Sequence, residues 1–317
     1  MKNIYSNIFS FNRKILNKTI KYLKSERVVS LPTETVYGLA GNAYSKNSIK
    51  KIFMLKKRPN YNPLIIHYYS KSQAENDVIF NKNFSKLYKK FCPGPLTFIL
   101  KKKKNSKIHS IACANLKTVA IRFPKHRIVR NILKRTNFPL AMPSANLSSK
   151  LSPVKALDVY EDFKKKIPLI INGGVSKIGI ESTVIDLTHT PKILRPGIID
   201  FKKIEKILKI KLKGKKFSSK IKSPGMLKKH YSPGIPVFLN QKYHDKKSAF
   251  IYIGKKYINR KSFFSLSEKY DLKEAASKLY ITLRNIKKKG YRAIQIARIP
   301  LNGPGIAIND RIKRAAK

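Results

Sequence analysis

Residues 28–39, VVSLPTETVYGL, indicate the fold, because in them an apolar run passes directly into a polar turn. Val28, Val29 and Leu31 belong to a short β-rich run that ends at Pro32, as a strand should. Hydroxyl groups, a carboxylate and a glycine follow. Crevices in α/β proteins lie at the carboxyl ends of strands, so this turn suits a polar ligand. The alternative is a capped turn that only leads into the next element.

Short β-rich runs alternate with helical periodicities from about residue 15 to residue 298, which is typical of an α/β protein. Apolar spacing predicts helices at 16–23, 49–53, 84–91 and 204–210, and strands at 64–66, 97–100, 119–121, 140–142, 169–171 and 183–185. Residues 211–223 are rich in Lys and Ser and indicate a linker. Beyond it, strands at 249–252 and 293–296 flank a helix at 272–286. This second, smaller unit resembles a Rossmann-like module without a Gly-x-Gly-x-x-Gly loop.

The charge of the chain is strongly positive. Its 317 residues contain 70 Lys and Arg against 16 Asp and Glu, a formal net charge of +54. Apolar residues make up 42% of the chain, which excludes disorder throughout, and the length excludes a peptide-sized binding module. The charge should attract polyanions such as RNA or nucleotides. However, 56 of the basic residues are Lys, so drift in coding composition explains the charge equally well.

The two cysteines, Cys92 and Cys113, lie 21 positions apart, without the spacing of metal ligands. Neither a zinc site nor a disulfide framework is therefore expected, and reduced thiols in the cytoplasm fit best. No apolar run approaches the roughly 20 residues of a membrane span, so we expect no membrane insertion.

Basic residues close the predicted helix at 49–53, in the sequence KKRP of residues 56–59. Cations in a last helical turn often only complement the helix dipole. Here Pro59 and Pro63 restrict the local backbone, which would give Arg58 and Asn62 a fixed direction. Arginine also binds phosphate in a bidentate manner better than lysine does.

Two further strands carry polar residues at their ends. His67 follows the apolar run at 64–66; a lone histidine is more often structural, yet here it could reach the crevice as a hydrogen-bonding or proton-transfer group. Thr118 and Arg122 bracket the strand at 119–121 four residues apart, so both lie on one face of it.

Three more polar segments adjoin strands: residues 143–146 after the run at 140–142, with Ser152 shortly beyond; residues 179–183; and residues 195–197. Each could be a simple cap or turn. Together they place hydroxyl, amide and guanidinium groups at the ends of different strands. The chain shows no carboxylate pair, no Ser-His-Asp order and no Cys-His couple, so hydrolytic nucleophile chemistry lacks support. An anion-binding site fits better.

The ordered series of these motifs resembles the YrdC family from about Ile15 to Ile199. The motifs are PTETVYGL (32–39), KKRP (56–59), NPLIIH (62–67), CPGPLT (92–97), TVAIR (118–122), PSAN (143–146), GIESTV (179–184) and LRPG (194–197). SPGM (223–226) and KHYSP (229–233) are similar to the linker of the two-domain threonylcarbamoyl-AMP synthases, and the ending GPGIAINDR (303–311) supports their C-terminal domain. The resemblance implies a twisted YrdC-like α/β catalytic domain with a concave basic cavity (1–210), a linker covering the active site (211–235) and a smaller Rossmann-like α/β domain (236–317).

The resemblance also implies an activity, that of a nucleotidyltransferase. The enzymes of this kind join L-threonine, bicarbonate and ATP, with Mg²⁺ accompanying the nucleotide, to give threonylcarbamoyl-AMP and pyrophosphate. The product serves to modify adenosine 37 of ANN-decoding tRNAs, and a separate downstream tRNA threonylcarbamoyl transferase places the group on the tRNA.

The family pattern implies site residues for each substrate, and none for a metal. Lys56 and Arg58 would be catalytic. The ATP-binding residues would be Arg58, Asn62, Thr118, Ser144, Asn146, Ser152, Arg195 and Tyr231, and the threonine-binding residues Thr35, His67, Arg122, Met142 and Ser182.

Two other functions remain open from the sequence. A non-catalytic double-stranded RNA-binding protein would use the positive charge to hold phosphates, and contact with tRNA would suit the same charge. A carbamoyl-adenylating enzyme that uses carbamoyl phosphate has less support, because the zinc-finger and acylphosphatase segments expected beside such a domain are missing from this chain.

Overall fold

The computed structural model describes residues 5–212, 230–242, 247–257 and 260–316. These residues form two β-sheets with helices packed against them. Of the predicted linker, residues 211–212 and 230–235 belong to the described part, whereas the SPGM motif at 223–226 and Lys229 lie outside it.

The larger sheet has eleven strands within the described ranges. They are β1 (Ile8–Ser10), β2 (Val29–Leu31), β3 (Gly38–Asn42), β4 (Ile65–His67), β5 (Val78–Ile79), β6 (Leu96–Lys102), β7 (Thr118–Arg122), β8 (Leu140–Ala141), β9 (Ile170–Asn172), β10 (Thr183–Asp186) and β11 (Lys192–Arg195). Their order is β1-β9-β2-β3-β8-β4-β7-β6-β10-β11, with β5 also paired to β6. Parallel and antiparallel pairs are mixed.

The helices of this larger unit are α1 (Arg13–Lys24), α2 (Lys46–Lys56), α3 (Lys71–Glu75), α4 (Lys82–Phe91), α5 (Arg127–Arg135), α6 (Ala156–Phe163) and α7 (Phe201–Leu208), with short 3-10 turns at Ser110–Cys113 and Lys164–Lys166. Side-chain caps begin several of them; Asn12, for example, accepts a hydrogen bond from the backbone N–H of Ile15. Helix α2 ends at Lys57 in the left-handed conformation, and the next N–H, that of Arg58, donates back to Phe53 O at 3.0 Å. This ending fixes where Arg58 leaves the helix.

The polar residues of three sequence motifs lie at two strand ends and in one loop of the larger sheet. Strands β4 and β7 are parallel, and His67 is in register with Arg122, so both residues lie at the carboxyl ends of their strands. Strands β2 and β3 are antiparallel and pair Leu31 with Gly38, so residues 32–37 form the loop between them. The polar turn of the sequence is a connection between strands, and Arg122 at the end of β7 reaches it through Thr35 and Glu34.

A smaller unit follows, with strands β12 (Val237–Leu239), β13 (Ser248–Tyr252), β14 (Phe263–Ser265) and β15 (Ala293–Ile296) and helices α8 (Leu272–Lys288) and α9 (Pro304–Ala315). Every strand pair of its sheet is parallel, in the order β12-β15-β13-β14. This confirms the predicted Rossmann-like module. No helix in the described ranges combines the length and the apolar character needed to cross a bilayer.

The two units share an apolar core. One buried cluster contains Val36, Leu151 and Ile180 of the larger unit together with Leu279 and Ile308 of the smaller unit. Because these side chains form one buried cluster, the contact between the two units is packed as a hydrophobic core.

Candidate functional site

A recess is lined by the loop between β2 and β3, where the sequence predicts a polar crevice, and by residues at the carboxyl ends of β4 and β7. It has about 530 Å³ of empty space, counting the part open to solvent. Its lining consists of Thr33, Thr35, Val36, Tyr37, Gly38, Arg58, Ile65, His67, Arg122, Met142, Pro143, Ser144, Glu181, Arg195, His230 and Tyr231. The last two residues reach it from the segment that precedes the smaller unit.

The lining is cationic. Three of its residues are arginines, Arg58, Arg122 and Arg195, whereas Glu181 is the one carboxylate among the described lining residues. All four side chains are buried. Excess positive charge in a site of low dielectric favours an anionic ligand.

Arg58 is held by the turn that follows it. Its Nε donates to Asn62 O at 2.9 Å, and its Nη2 donates to Asn62 Oδ1 at 2.6 Å and to Pro63 O at 2.8 Å. Burial, together with the charge of Arg195, lowers the pKa of Arg58 to about 9. A bound anion would relieve the repulsion between the two guanidinium groups.

Lys56 lies behind the recess. Its Nζ donates to Ser144 O at 2.5 Å and to Asn146 O at 2.6 Å, and burial holds its pKa well below the ordinary value. Asn146 in turn donates from Nδ2 to Leu147 O and Lys150 O. Lys56 therefore fixes the loop that presents Ser144 to the recess.

Arg122 lines the recess together with the loop between β2 and β3. Its Nη2 lies 2.7 Å from Glu34 Oε1, and its Nη1 donates to Thr35 Oγ1 at 2.8 Å. Burial alone would raise the pKa of Glu34, but the charge and hydrogen bond of Arg122 hold it below the ordinary value. Thr35 also exchanges a hydrogen bond with Thr33, at 2.8 Å between the two hydroxyl oxygens.

His67 is neutral in this lining. Burial and the nearby charge of Arg122 hold its pKa well below 6.5, and its Nδ1 lies 3.2 Å from Ile65 O. Beside it, Gly38 makes room for Met142, because a Cβ atom on Gly38 would lie 2.4 Å from Met142 Cγ. The close approach requires glycine at this position.

Arg195 contacts the recess from β11. Its Nε donates to Ser182 O and its Nη2 to Ser182 Oγ, both at 3.0 Å. Ser182 Oγ also lies 2.7 Å from Thr97 Oγ1, so Ser182 supports the arginine from behind.

His230 and Tyr231 complete the lining, and both are buried. Burial lowers the pKa of His230 to about 3, so its ring is neutral. Within the described residues, neither His230 Nδ1 nor the Tyr231 hydroxyl has a hydrogen-bond partner. Unpaired buried polar atoms are costly, and a polar ligand in the recess could satisfy them.

The structure brings most of the predicted site residues together. Eight of them line the recess: Thr35, Arg58, His67, Arg122, Met142, Ser144, Arg195 and Tyr231. Five others lie behind it and bond to lining residues or to the loop that carries them: Lys56, Asn62, Asn146, Ser152 and Ser182. Thr118 does neither; it begins β7, four residues and roughly 13 Å from Arg122 at the other end of the strand.

Eight lining residues were not assigned to a substrate from the sequence: Thr33, Val36, Tyr37, Gly38, Ile65, Pro143, Glu181 and His230. Each lies inside a motif recognised in the sequence, so position within a motif was the available signal. Among these residues, Glu181, next to Ser182, is hydrogen-bonded by three other side chains. Its carboxylate accepts hydrogen bonds from Ser152 Oγ at 2.5 Å, from the Tyr280 hydroxyl and from Arg311 Nε.

The described residues contain no group of three His, Cys, Asp or Glu side chains that could hold a metal ion. The carboxylate of the lining, Glu181, is already engaged by the three donors named above. The recess therefore does not fit a metal held by the protein alone.

Two family models match the chain. That of the Sua5/YciO/YrdC family, described as "Telomere recombination", matches residues 21–197, and that described as "Threonylcarbamoyl-AMP synthase, C-terminal domain" matches residues 199–317. Among curated relatives, the threonylcarbamoyl-AMP synthase of Pyrococcus abyssi is 36% identical, with 93% of this chain and 92% of the relative covered. The threonylcarbamoyl-AMP synthase of Bacillus subtilis is 35% identical, with 93% and 90% covered.

A solved structure supports the same grouping. The crystal structure of P. abyssi Sua5 complexed with L-threonine superposes with a TM-score of 0.88 at 34% identity, covering 98% of this chain and 97% of that one. Escherichia coli YciO, at 23% identity and a TM-score of 0.55, shares the fold over 62% of this chain. The similarity extends over both units, and the chain thus belongs to the Sua5/YciO/YrdC family, with the C-terminal domain of the threonylcarbamoyl-AMP synthases.

Proposed function

We propose that this chain is a threonylcarbamoyl-AMP synthase, a nucleotidyltransferase that makes L-threonylcarbamoyladenylate and pyrophosphate from L-threonine, bicarbonate and ATP. The observation that carries the proposal is one recess lined both by Arg58 and Arg195 and by the hydrogen-bonded pair of Arg122 and Thr35. Such a site can gather an anionic nucleotide and an amino acid. A relative of closely similar structure is described in complex with L-threonine.

For ATP, we propose contacts from Arg58, Ser144, Arg195 and Tyr231, which line the recess. Asn62, Asn146 and Ser152 would position them, and Lys56 would act by fixing the loop that carries Ser144. The proposed contact of Thr118 requires part of the nucleotide to extend along β7, away from the recess.

For threonine, we propose that Arg122 binds the carboxylate while sharing its guanidinium with Glu34. Thr35, His67 and Met142 would surround the amino acid, and Ser182 would act through Arg195. Because His67 has a pKa well below 6.5, we propose that it accepts or donates a hydrogen bond and does not store the proton of the threonine amine.

The proposed chemistry needs positioning and charge neutralisation. Bicarbonate releases carbon dioxide and hydroxide, and the neutral amine of threonine adds to the carbon of carbon dioxide, so that an N–C bond forms and one C–O π bond breaks. The nitrogen then loses a proton to the hydroxide, which gives water and a carbamate. A carbamate oxygen then attacks the α-phosphorus, and the bond to pyrophosphate breaks. Arg58 and Arg195 would neutralise the negative charge on the phosphates during this step.

Mg²⁺ would enter with ATP, bound by phosphate oxygens, and would shield their charge. Glu181, the carboxylate among the described lining residues, is already engaged by Ser152 and Arg311 and is not proposed as a metal ligand. No residue is assigned to the metal.

The product is a mixed anhydride that water can hydrolyse. The buried ring of Tyr231 in the lining would help to exclude water from it. We further propose that the chain divides into a catalytic part at 1–210, a linker at 211–235 and a C-terminal part at 236–317. In this division Tyr231 belongs to the linker.

The product would pass to a downstream tRNA threonylcarbamoyl transferase for modification of adenosine 37. A cytoplasmic location is proposed because both cysteines are free thiols. The alternative, a non-catalytic double-stranded RNA-binding protein, is not favoured, because relatives matched over most of the chain are named as synthases. Direct contact with tRNA remains a proposal that rests on the charge of +54.

The test is a pyrophosphate-release assay with threonine, bicarbonate and ATP omitted in turn. We expect release only when all three are present. Release that does not depend on threonine would contradict the proposal. Duplex RNA binding that falls steeply with salt, without any pyrophosphate release, would support the RNA-binding alternative instead.

A further inference from the structure

We propose that Arg311, in the smaller unit, is a positioning residue for the recess, because it holds Glu181 and Tyr231 in the lining. The inference deepens the proposed function and rests on it. It assigns the smaller unit a specific task, which is to fix two residues of the recess lining.

The contacts of Arg311 cross from one unit to the other. The residue lies on α9, is fully buried, and donates from Nε to Glu181 Oε2 at 2.8 Å. Its Nη1 donates to Asp310 Oδ2 at 2.8 Å, which fixes the guanidinium on its own helix. Its Cζ lies 5.1 Å from the centroid of the Tyr231 ring, within the range of a cation–π contact.

Glu181 transmits this contact to the larger unit. It lies beside Ser182, whose hydroxyl accepts a hydrogen bond from Arg195 at 3.0 Å. Tyr280, on α8, donates to Glu181 Oε2 at 3.1 Å, so two residues of the smaller unit, Tyr280 and Arg311, hold the carboxylate. Movement of Glu181 would therefore reach Ser182 and Arg195 through the backbone.

The position of the Tyr231 ring depends on Tyr280 and Arg311. Its ring stacks on that of Tyr280, with centroids 5.8 Å apart and an interplanar angle of 25°. Its backbone has φ of 65°, a conformation that costs energy for a residue with a side chain. The ring contacts with Tyr280 and Arg311 stabilise this placement. A single guanidinium thus contacts two of the residues that line the recess.

The chain offers a matched control, because a second ion pair also joins the two units. Arg284, on α8, lies with Nη2 3.1 Å from Asp162 Oδ2 on α6, and it donates to Leu151 O at 2.7 Å. Neither Arg284 nor Asp162 lines the recess. Loss of Arg284 weakens the contact between the units without removing a hydrogen bond to any lining residue.

The experiment compares full-length Arg311→Met, Arg311→Lys and Arg284→Met with the parent chain. The readouts are KM for ATP and the ratio of free AMP to threonylcarbamoyl-AMP, which does not depend on the folded fraction. We expect Arg311→Met to raise the ratio at least about tenfold, since small misplacements near reacting groups have effects of this size or larger. Arg311→Lys should raise the ratio less than Arg311→Met does, and Arg284→Met should keep the parental ratio.

Arg311→Met also leaves the buried carboxylate of Glu181 without its charge partner, which could destabilise the whole chain. The double variant Arg311→Met with Glu181→Gln removes that cost. We expect it to regain thermal stability and keep a raised AMP ratio. A parental ratio in a folded double variant would overturn the inference, as would an equal rise in Arg284→Met. If the parent chain shows no threonine-dependent pyrophosphate release, the proposed function itself fails, before the variants are compared.

Discussion

Replacing Arg58 with alanine should remove the anion clamp of the recess and leave the fold in place. In the structure, three hydrogen bonds to Asn62 and Pro63 hold the guanidinium, so the charge is preorganised before substrate arrives. Loss of one preorganised donor costs about 3 kcal/mol of transition-state stabilisation. At 1.36 kcal/mol for each factor of ten, this predicts a fall in kcat/KM of about 150-fold.

The assay is initial-rate pyrophosphate release at saturating threonine and bicarbonate with ATP varied. Arg58→Lys keeps a charge but lacks the planar fork that bonds Asn62 and Pro63, so we expect an intermediate loss. Lys57→Ala is the matched control, because Lys57 is the adjacent cation and its side chain is exposed. Folding of each variant is checked by thermal melting. The reasoning is refuted if folded Arg58→Ala keeps kcat/KM within threefold of the parent, or if Lys57→Ala loses as much.

Three further outcomes are expected. Tyr231→Ala should release more AMP for each intermediate formed, because water gains access to the anhydride; an unchanged ratio of AMP to product would count against this role. Asp77→Ala should lower the free energy of unfolding in urea by about 3 kcal/mol, because the buried carboxylate accepts hydrogen bonds from the hydroxyls of Tyr44 at 2.8 Å and Tyr68 at 2.9 Å, and a loss below about 1 kcal/mol would contradict it. His230 stays neutral in the folded chain down to about pH 3, whereas the unfolded chain binds a proton near pH 6.5. Stability should therefore fall on acidification through this window, and His230→Gln should reduce that slope; an identical slope would show that another group is responsible.

The sequence predicted several elements with apolar patterns and their polar ends, although helix α5, whose Ile128, Val129, Ile132 and Leu133 form a buried face, was not predicted. The run at 119–121 became β7, and His67 and Arg122 meet at one edge because parallel strands end on the same side. Strand β3, with the sequence GLAGN, was not predicted, since glycine and alanine carry little strand preference. Residues 38–42 form a strand because they pair with β2 on one side and with β8 on the other. A local sequence pattern does not show such pairing.

The residues that support the site were harder to predict than those that line it. The two carbonyl partners of Lys56 lie 88 and 90 residues away in the chain, and the sequence alone cannot distinguish a lysine that binds phosphate from one that binds carbonyl oxygens. The partners of Glu181 on α8 and α9 lie 99 and 130 residues away. Because the chain contains 70 Lys and Arg residues, the sequence does not indicate which of them pairs with Glu181.

The recess takes its walls from segments that extend from residue 33 to residue 231, with a support at residue 311. During synthesis, a chain emerging from the ribosome would hold most of the large sheet before it held Tyr231 or Arg311. Contacts between such distant segments are slow to form, because long loops must close first. Catalytic competence would therefore arise late in biogenesis, well after the large sheet can assemble, and a prematurely terminated product would have a folded core without a complete reaction chamber.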